Sequence, residues 1–168
     1  GGRVSSGSQD RYVMLEGRPA VYKVSWKLLS HLFPHAEIFV DATGSAISRF
    51  DIKRITIRSG DSEFKVLRKN EQWITEKGVP FDSETVEALL VWLLDTRPPE
   101  VVIGEYPRVH ELATITFEGY DLTPLDTVRV ARDPDGSFIL ENGDNVLRLH
   151  PVDSGEPLEP FLTRLLQK

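Results

Sequence analysis

The segment between Phe81 and Pro99 constrains the fold of this chain more than any other. Its apolar residues recur at spacings of three and four, which places them on one side of a helix: Val86, Leu89, Leu90, Leu93 and Leu94. Asp82 can cap the helix start through its carboxylate, and Pro98-Pro99 ends the run. The pattern predicts a helix over residues 82–95, with Leu90 among its most buried residues. Because such a stripe needs an apolar surface to cover it, we expect the helix to pack on a β-sheet.

Runs of alternating or β-branched residues on both sides of this helix predict the strands of that sheet. Before it, three strands in an antiparallel meander are expected at residues 51–57, 63–67 and 73–74. After the prolines, five more are expected at residues 101–103, 113–117, 127–130, 138–140 and 146–149. Asn142-Gly143 predicts a two-residue turn between the last two strands, and Asp133 to Gly136 predicts a turn ahead of them.

The two ends of the chain complete the pattern. An opening hairpin at 12–24 precedes a short predicted helix near 26–33, and a leucine pattern predicts a closing helix near 157–167. The predicted fold class is therefore α+β, with antiparallel meander sheets and helices packed on one face. Residues 1–10 are rich in Gly and Ser and are expected to be flexible, which leaves residues 11–168 as a single predicted domain.

The opening hairpin resembles the hairpin near the end of the chain. Residues 12–17 and 21–24 align with residues 138–143 and 146–149, and a helical leucine pattern follows in both places. We interpret this likeness as a partial internal repeat, in which residues 11–43 resemble the end of a preceding unit and residues 44–168 form the main unit. Chance similarity of two hairpins is the alternative.

The composition excludes several classes of site and partner. The chain of 168 residues has no cysteine, which rules out disulfides, thiolate metal sites and cysteine nucleophiles. Its formal net charge is −6, and its basic residues form no stripe with interleaved aromatics, so no nucleic-acid partner is expected. No apolar run is long enough to span a bilayer. Because the sequence starts at Gly1 without a methionine, we expect a leader or membrane anchor ahead of it.

The histidines do not predict a metal site. His31 and His35 have the spacing of a helical metal pair, with Glu37 as the nearest third ligand. Pro34 lies between them and would end the helix before His35, so the two imidazoles do not share a face. His110-Glu111 lacks the second histidine of a metalloprotease helix. We interpret these histidines as solvated or helix-end residues.

The remaining polar motifs are interpreted as structural. Asp133 and Asp135 resemble the start of a calcium loop, but the later oxygen ligands are missing, which favours a hairpin turn. Glu84 and Glu87 lie on the polar side of the predicted helix. No serine lies in a Gly-x-Ser-x-Gly or Ser-x-x-Lys motif. The sequence thus predicts no catalytic, cofactor-binding or metal-binding residue, and no cofactor.

Two tryptophans lie within the predicted elements. Trp73 is in a strand and is expected in the core or on the sheet surface. Trp92 lies off the main leucine stripe, so it either widens the buried face of the helix or stays partly exposed beside Pro98-Pro99. An exposed Trp92 would be a candidate contact point for a partner.

The order of these elements resembles the bacterial family called domain of unknown function 4340. The resemblance rests on a Tyr-Val hairpin, a strand pair, a tryptophan strand and an acid-capped helix with paired leucines: Tyr12-Val13 with Val21-Tyr22, Asp51-Ile52 to Ile57, Phe64 to Leu67, Trp73-Ile74, and Phe81-Asp82 through Leu94. It extends over nearly all of residues 11–168. The Gly-Leu-x-x-Pro element usual after the helix is altered here, and Tyr120 to Pro124 is its nearest match.

The resemblance implies an extracytoplasmic protein of the periplasm or envelope, tied to the membrane by an N-terminal segment and associated with gliding-type ABC transport components. It carries no catalytic residue over to this chain. We therefore expect a non-catalytic binding or scaffold module of the cell envelope, whose partners are other envelope proteins. The alternatives are a soluble ligand-binding domain, which a dry apolar cleft would favour, and an enzyme, which ionisable residues converging in a deep pocket would favour.

Overall fold

The computed structural model describes residues 10–14, 21–25, 43, 45, 47–104 and 110–166. The chain divides into two compact units, Gly1–Phe39 and Val40–Lys168. In the first unit, β1 (Asp10–Met14) pairs antiparallel with β2 (Val21–Ser25), which confirms the opening hairpin. A single domain over residues 11–168 stays a prediction.

Two predictions for the first unit fall outside the described residues. One is the flexibility of the segment that precedes β1. The other is the helix near 26–33, and with it the placement of His31, His35 and Glu37.

The second unit is an open sheet of eight strands in which every neighbouring pair runs antiparallel. The strand order is β5-β4-β3-β7-β8-β9-β10-β6. Their bounds are β3 (Arg54–Ser59), β4 (Ser62–Lys69), β5 (Gln72–Thr75), β6 (Glu100–Ile103), β7 (His110–Glu118), β8 (Pro124–Arg132), β9 (Phe138–Glu141) and β10 (Val146–His150). Two meanders therefore lie side by side through β3 and β7, and β6 forms the far edge. This confirms the predicted α+β class.

The predicted central helix belongs to the segment that connects the two edges of this sheet. Its regular part, α1 (Ser83–Leu90), begins at Asp82, whose carboxylate accepts the backbone N–H of Thr85 at 3.0 Å and that of Glu84 at 3.4 Å. The hydrogen bonds from Thr85 are also the main reason that the pKa of Asp82 lies below its usual value. Because β5 and β6 form opposite edges, the segment between them has to cross a sheet face, and α1 buries Val86, Leu89 and Leu90 completely.

A π-helical turn over Val91–Asp95 continues α1. Thr96 closes it by donating its backbone N–H and its hydroxyl to the Val91 carbonyl at 2.8 and 3.0 Å. The wider turn lets three consecutive residues, 92–94, be buried in addition to Leu89 and Leu90, which a regular helix with one inward face does not allow. Trp92 is only 4% exposed, which confirms the alternative that it widens the buried face of the helix. The other alternative, an exposed contact point, is wrong.

The closing helix packs into the same core as α1. A 3-10 segment (Val152–Leu158) leads into α2 (Glu159–Leu166), whose Phe161 and Leu165 are buried. α2 packs on β3 and β4, while α1 packs on β5. Their apolar residues form one cluster with the inward residues of the strands, including Ile55 and Phe117, and with Trp73. The helices predicted near 82–95 and 157–167 are thus confirmed.

Some of the strand residues that alternate with this core are polar and pair with each other, whereas Ala131, Ile139 and Leu147 form a second, smaller apolar cluster. Arg54 donates side-chain hydrogen bonds to both carboxylate oxygens of Glu118, whereas Arg129 donates two to a single oxygen, Oε2, of Glu141. The hydrogen bond from Arg54 is the main reason that the pKa of Glu118 is lowered. These charge-assisted hydrogen bonds allow both carboxylates to lie buried in the sheet.

The loop of the last hairpin differs from the prediction. Four residues, 142–145, join β9 to β10 instead of the two that Asn142-Gly143 predicted. The Glu141 carboxylate accepts the backbone N–H of Gly143 at 2.5 Å, and Asp144 accepts that of Val146 at 3.0 Å. Carboxylates thus accept hydrogen bonds from loop N–H groups that, in a tight turn, would have paired with carbonyls across the strands.

This longer loop also changes the register of the hairpin. In β1 and β2, Tyr12 pairs with Lys23, so the aligned residues would pair Phe138 with Arg148. Phe138 instead pairs with His150. The two hairpins differ in register by two residues, and the internal repeat is not shown.

Candidate functional site

Three connections meet at one end of the sheet and place several apolar side chains in water. They are the 3-10 turn Arg49–Asp51 before β3, the turn Asn70–Glu71 between β4 and β5, and the residues 119–123 between β7 and β8. Because β3 is antiparallel to both neighbours, its start lies beside the ends of β4 and β7. We call the surface formed by Phe50, Lys53, Arg68, Tyr120, Leu122 and Leu125, together with this turn Asn70–Glu71, the aromatic end.

Backbone hydrogen bonds fix the three connections to each other. The Lys53 N–H donates to the carbonyl of Glu118 at 2.7 Å, and the Arg68 N–H donates to the carbonyl of Lys53 at 2.8 Å. The 3-10 turn is capped by Ser48, whose hydroxyl accepts the N–H of Phe50 at 3.3 Å. The aromatic end is therefore held by the same ladder that builds the sheet.

The two aromatic residues of this end are exposed and border one cleft. Phe50 is 67% exposed and Tyr120 is 66% exposed. The cleft between the connections has a volume of about 370 Å³ and is lined by Phe50, Lys53, Arg68, Asn70, Glu71 and Tyr120. Burial of one large apolar side chain stabilises a fold by about 1.5–3 kcal/mol, and this fold forgoes that contribution for both rings.

Cations lie over both rings. The Lys53 ammonium lies 5.2 Å from the centroid of the Tyr120 ring, and the Arg49 guanidinium lies 5.5 Å from that of Phe50. At exposed sites such contacts are worth about 0.5–1 kcal/mol, which is enough to bias the orientation of each ring.

Unusual backbone conformations concentrate at the aromatic end. Among the described residues, four that are not glycine have positive φ, and three of them lie here: Asn70 at 49°, Glu71 at 63° and Leu122 at 61°. For a bulky residue such as Leu122 this conformation costs about 1–2 kcal/mol. It is held by the Leu122 N–H, which donates to the Gly119 carbonyl at 2.9 Å. Strain of this kind clusters at functional sites.

A larger cleft of about 530 Å³ lies along β4 and the end of β5, and three of its charged residues pair with each other. Lys65 forms an ion pair with Glu63 and another, at 3.3 Å, with Glu76. The hydrogen bond with Lys65 is the main reason that the pKa of Glu63 is lowered and that of Lys65 is raised. Its other two charged residues, Lys77 and Arg164, are exposed and form no ion pair with a described residue, so the aromatic end differs from this cleft in its two exposed aromatic rings.

Among the residues that the structure describes, the ionisable group with the largest pKa shift lies in the core. His150 is 3% exposed and packs edge-on against Trp92 at 5.8 Å. Burial, with a smaller contribution from the Arg148 charge, lowers the pKa of His150 to about 4. Arg148 is also buried and donates to Asp144 at 2.8 Å. His150 and Arg148 line neither of these two clefts, so we assign them to the core.

The sequence motifs considered as sites are placed apart from the aromatic end. His110 is exposed at the start of β7, and Glu111 accepts a hydrogen bond from Thr114 at 2.6 Å. Asp133 accepts the Gly136 N–H at 2.8 Å through its backbone carbonyl, and Gly136 has φ of 94°, which confirms the hairpin turn. Over the described ranges, no three His, Asp or Glu side chains are grouped as metal ligands would be.

The sequence interpretation missed Phe50 and Tyr120. Both stand in segments with turn character, Phe50 after Ser48 and Tyr120 after Gly119, where no strand or helix face can bury a ring. An aromatic residue in a turn is the signal that could have identified them.

The described residues thus define an α+β protein built on an open antiparallel sheet, with its helices in one core and a candidate binding surface at one end. The chain belongs to the family described as Domain of unknown function (DUF4340), whose family model matches residues 1–97. The match includes Phe50, Lys53 and Arg68 but ends before β6, so the resemblance expected up to residue 168 is shown only for residues 1–97. No curated protein and no solved structure matches the chain.

Within the part of the chain that the structure describes, no helix is both long enough and apolar enough to cross a membrane.

Proposed function

We propose that this chain is a non-catalytic binding or scaffold module of the bacterial cell envelope and that it binds a partner protein through the aromatic end. The observation that carries the proposal is the pair of exposed rings, Phe50 and Tyr120, which border one cleft. Exposed aromatic residues on a rigid support are typical anchors of protein interfaces. They lose little conformational entropy on binding because few torsions remain to be fixed.

The support for a binding role is energetic. The fold forgoes the burial of both rings and holds Leu122 in a left-handed conformation at the same place. A partner that covers these side chains would recover apolar burial that folding leaves unused.

The setting in the cell is part of the same proposal. Family resemblance supports an extracytoplasmic location, an anchor formed by an N-terminal segment, and association with an ABC-type transport or gliding system. Partners are then other envelope proteins.

The second candidate is a soluble ligand-binding domain. The cleft of about 370 Å³ favours it, since small-molecule sites have volumes from about 300 to 1,000 Å³. A small ligand would have to leave most of Leu122 and Leu125 uncovered, because neither lines the cleft. A protein partner covers the cleft and these leucines together.

The proposal is tested by chemical crosslinking in the native bacterium, followed by purification of the protein with its partners. A discrete crosslinked complex is expected for the wild type. The double variant F50A/Y120A should bind the partner at least about thirtyfold more weakly and lose the crosslinked complex, because truncation of interface anchors costs more than about 1 kcal/mol each. The matched control V79A/V152A removes two side chains that are 57% and 55% exposed elsewhere and should leave the complex intact. Equal loss in both variants, or no loss in either, would contradict the proposal.

A further inference from the structure

From the charges of the cleft we infer that the partner presents an acidic peptide segment with interspersed apolar side chains. This inference rests on the proposed function and names the chemistry that the aromatic end recognises. It concerns Lys53 and Arg68, which are the two cations that line the cleft beside the rings.

The two cations are held side by side without an acid of their own. Arg68 donates its N–H to the Lys53 carbonyl at 2.8 Å, one step beyond the Arg54–Leu67 pair of β3 and β4. Like charges on adjacent strands destabilise a sheet when they lie opposite each other. Neither Lys53 nor Arg68 reaches a carboxylate of the described residues within ion-pairing distance.

The other basic residues of β3 and β4, apart from the exposed Lys69, each contact a carboxylate: Arg54 pairs with Glu118, and Arg58 and Lys65 both pair with Glu63. Exposed cations elsewhere, such as Lys77 and Arg164, also lack a carboxylate partner among the described residues, but water screens their charges. Lys53 and Arg68 are adjacent and half-buried, so their charges are less fully screened. We expect the bound partner to supply the carboxylate that pairs with Lys53 and Arg68.

The rest of the aromatic end selects the kind of anion. Glu71 lines the same cleft, which disfavours a densely charged polyanion, since it would meet repulsion there. Leu122 and Leu125 extend the rings with aliphatic surface that a sugar or a nucleotide would leave poorly covered. A peptide that alternates carboxylates with apolar side chains satisfies both the cations and the apolar residues.

The test uses short fluorescein-labelled synthetic peptides and the intact protein, with binding followed by fluorescence anisotropy. The first probe alternates glutamate with leucine and phenylalanine. The second replaces each glutamate with lysine, and the third replaces each apolar residue with serine. We expect the first probe to bind about tenfold more tightly than either of the others and to weaken as salt is raised.

Matched variants assign the binding to the cleft. K53E and R68E should each weaken the first probe about tenfold or more, whereas K77E, which makes the same charge change on an exposed residue outside this cleft, should change it less than about twofold. All of these side chains lie at or near the surface, and thermal melts establish that the variants are folded.

Each outcome is decisive. Equal binding of the acidic and basic probes, or no effect of K53E and R68E, overturns the inference, and so does preferential binding of a uronic-acid oligosaccharide over the first probe. If crosslinking in cells still depends on Phe50 and Tyr120, those results leave the proposed function in place. Loss of that dependence removes the proposed function itself.

Discussion

At the scale of single residues, the contact between Gly155 and Phe138 shows how the core dictates residue identity. Gly155 is buried in the 3-10 segment before α2, and a Cβ built on it would lie 2.0 Å from the Phe138 ring. The ring cannot yield easily, because Trp92 packs against it edge-on at 5.6 Å and the Arg132 guanidinium lies 4.7 Å from its centroid. No sequence pattern predicts this contact, since it joins β9 to a segment beyond β10.

The G155A variant should therefore lower the free energy of unfolding by about 1–3 kcal/mol, since overpacking forces either the ring or the backbone to move. Urea unfolding provides the measurement. G104A is the matched control, because a Cβ on Gly104 meets nothing within 4 Å. Equal urea midpoints for the two variants would show that the Gly155 site is not tightly packed.

The second residue-scale prediction concerns His150 and pH. Its folded-state pKa is about 4, whereas the ordinary value is 6.5, so between these values the unfolded chain binds a proton that the folded protein does not. The stability due to neutral burial is fully present above pH 6.5 and is lost as pH falls toward 4. This group contributes a slope of up to about 1.4 kcal/mol per pH unit.

Urea unfolding of the wild type and H150Q across this pH window measures that slope. The carboxylates and the other histidines are common to both proteins, so their contributions cancel in the difference. We expect the wild type to lose stability more steeply than the variant as pH falls. Parallel curves would show that His150 is not the buried neutral group described above.

At the scale of elements, α1 shows which features a sequence pattern can predict. The Asp82 cap and the stripe of Val86, Leu89 and Leu90 predicted its start and its buried side, because both depend on residues close in sequence. The π-helical turn was not predictable. It depends on the packing of residues 92–94 against the sheet, which no local spacing encodes. The prediction of a two-residue turn at Asn142-Gly143 was wrong for a similar reason. The carboxylates of Glu141 and Asp144 stabilise a longer connection there.

The stripe of α1 makes a prediction of its own. Leu90 is completely buried, so L90A removes apolar contacts and leaves a cavity, and the free energy of unfolding should fall by about 2–5 kcal/mol. V91A is a suitable control because Val91, the residue after Leu90, is 39% exposed. This variant should lower the free energy of unfolding by less than about 1 kcal/mol. A urea midpoint for L90A equal to that of the wild type would contradict the placement of this stripe in the core.

At the scale of the whole molecule, the sequence predicted the two meanders but not their arrangement. Adjacent strands joined by short turns pair with each other, so β3–β4–β5 and β7–β8–β9–β10 follow from spacing. The pairing of β3 with β7 and the position of β6 at the far edge depend on contacts between distant segments. The aromatic end arises from that β3–β7 pairing, which brings the Phe50 turn beside the Tyr120 turn. For this reason the candidate site could not be predicted from the sequence, although its two rings could have been noticed.

Site-specific photocrosslinking in the native bacterium shows directly whether a partner protein covers the aromatic end. A photoreactive phenylalanine analogue is placed at Tyr120, at Phe50 or, as the control, at Val79, which is an exposed apolar residue lining the other cleft. We expect one discrete protein adduct from positions 120 and 50 and none from position 79. Adducts of equal yield at all three positions, or an adduct from position 79 alone, would contradict the assignment of the aromatic end as the binding surface.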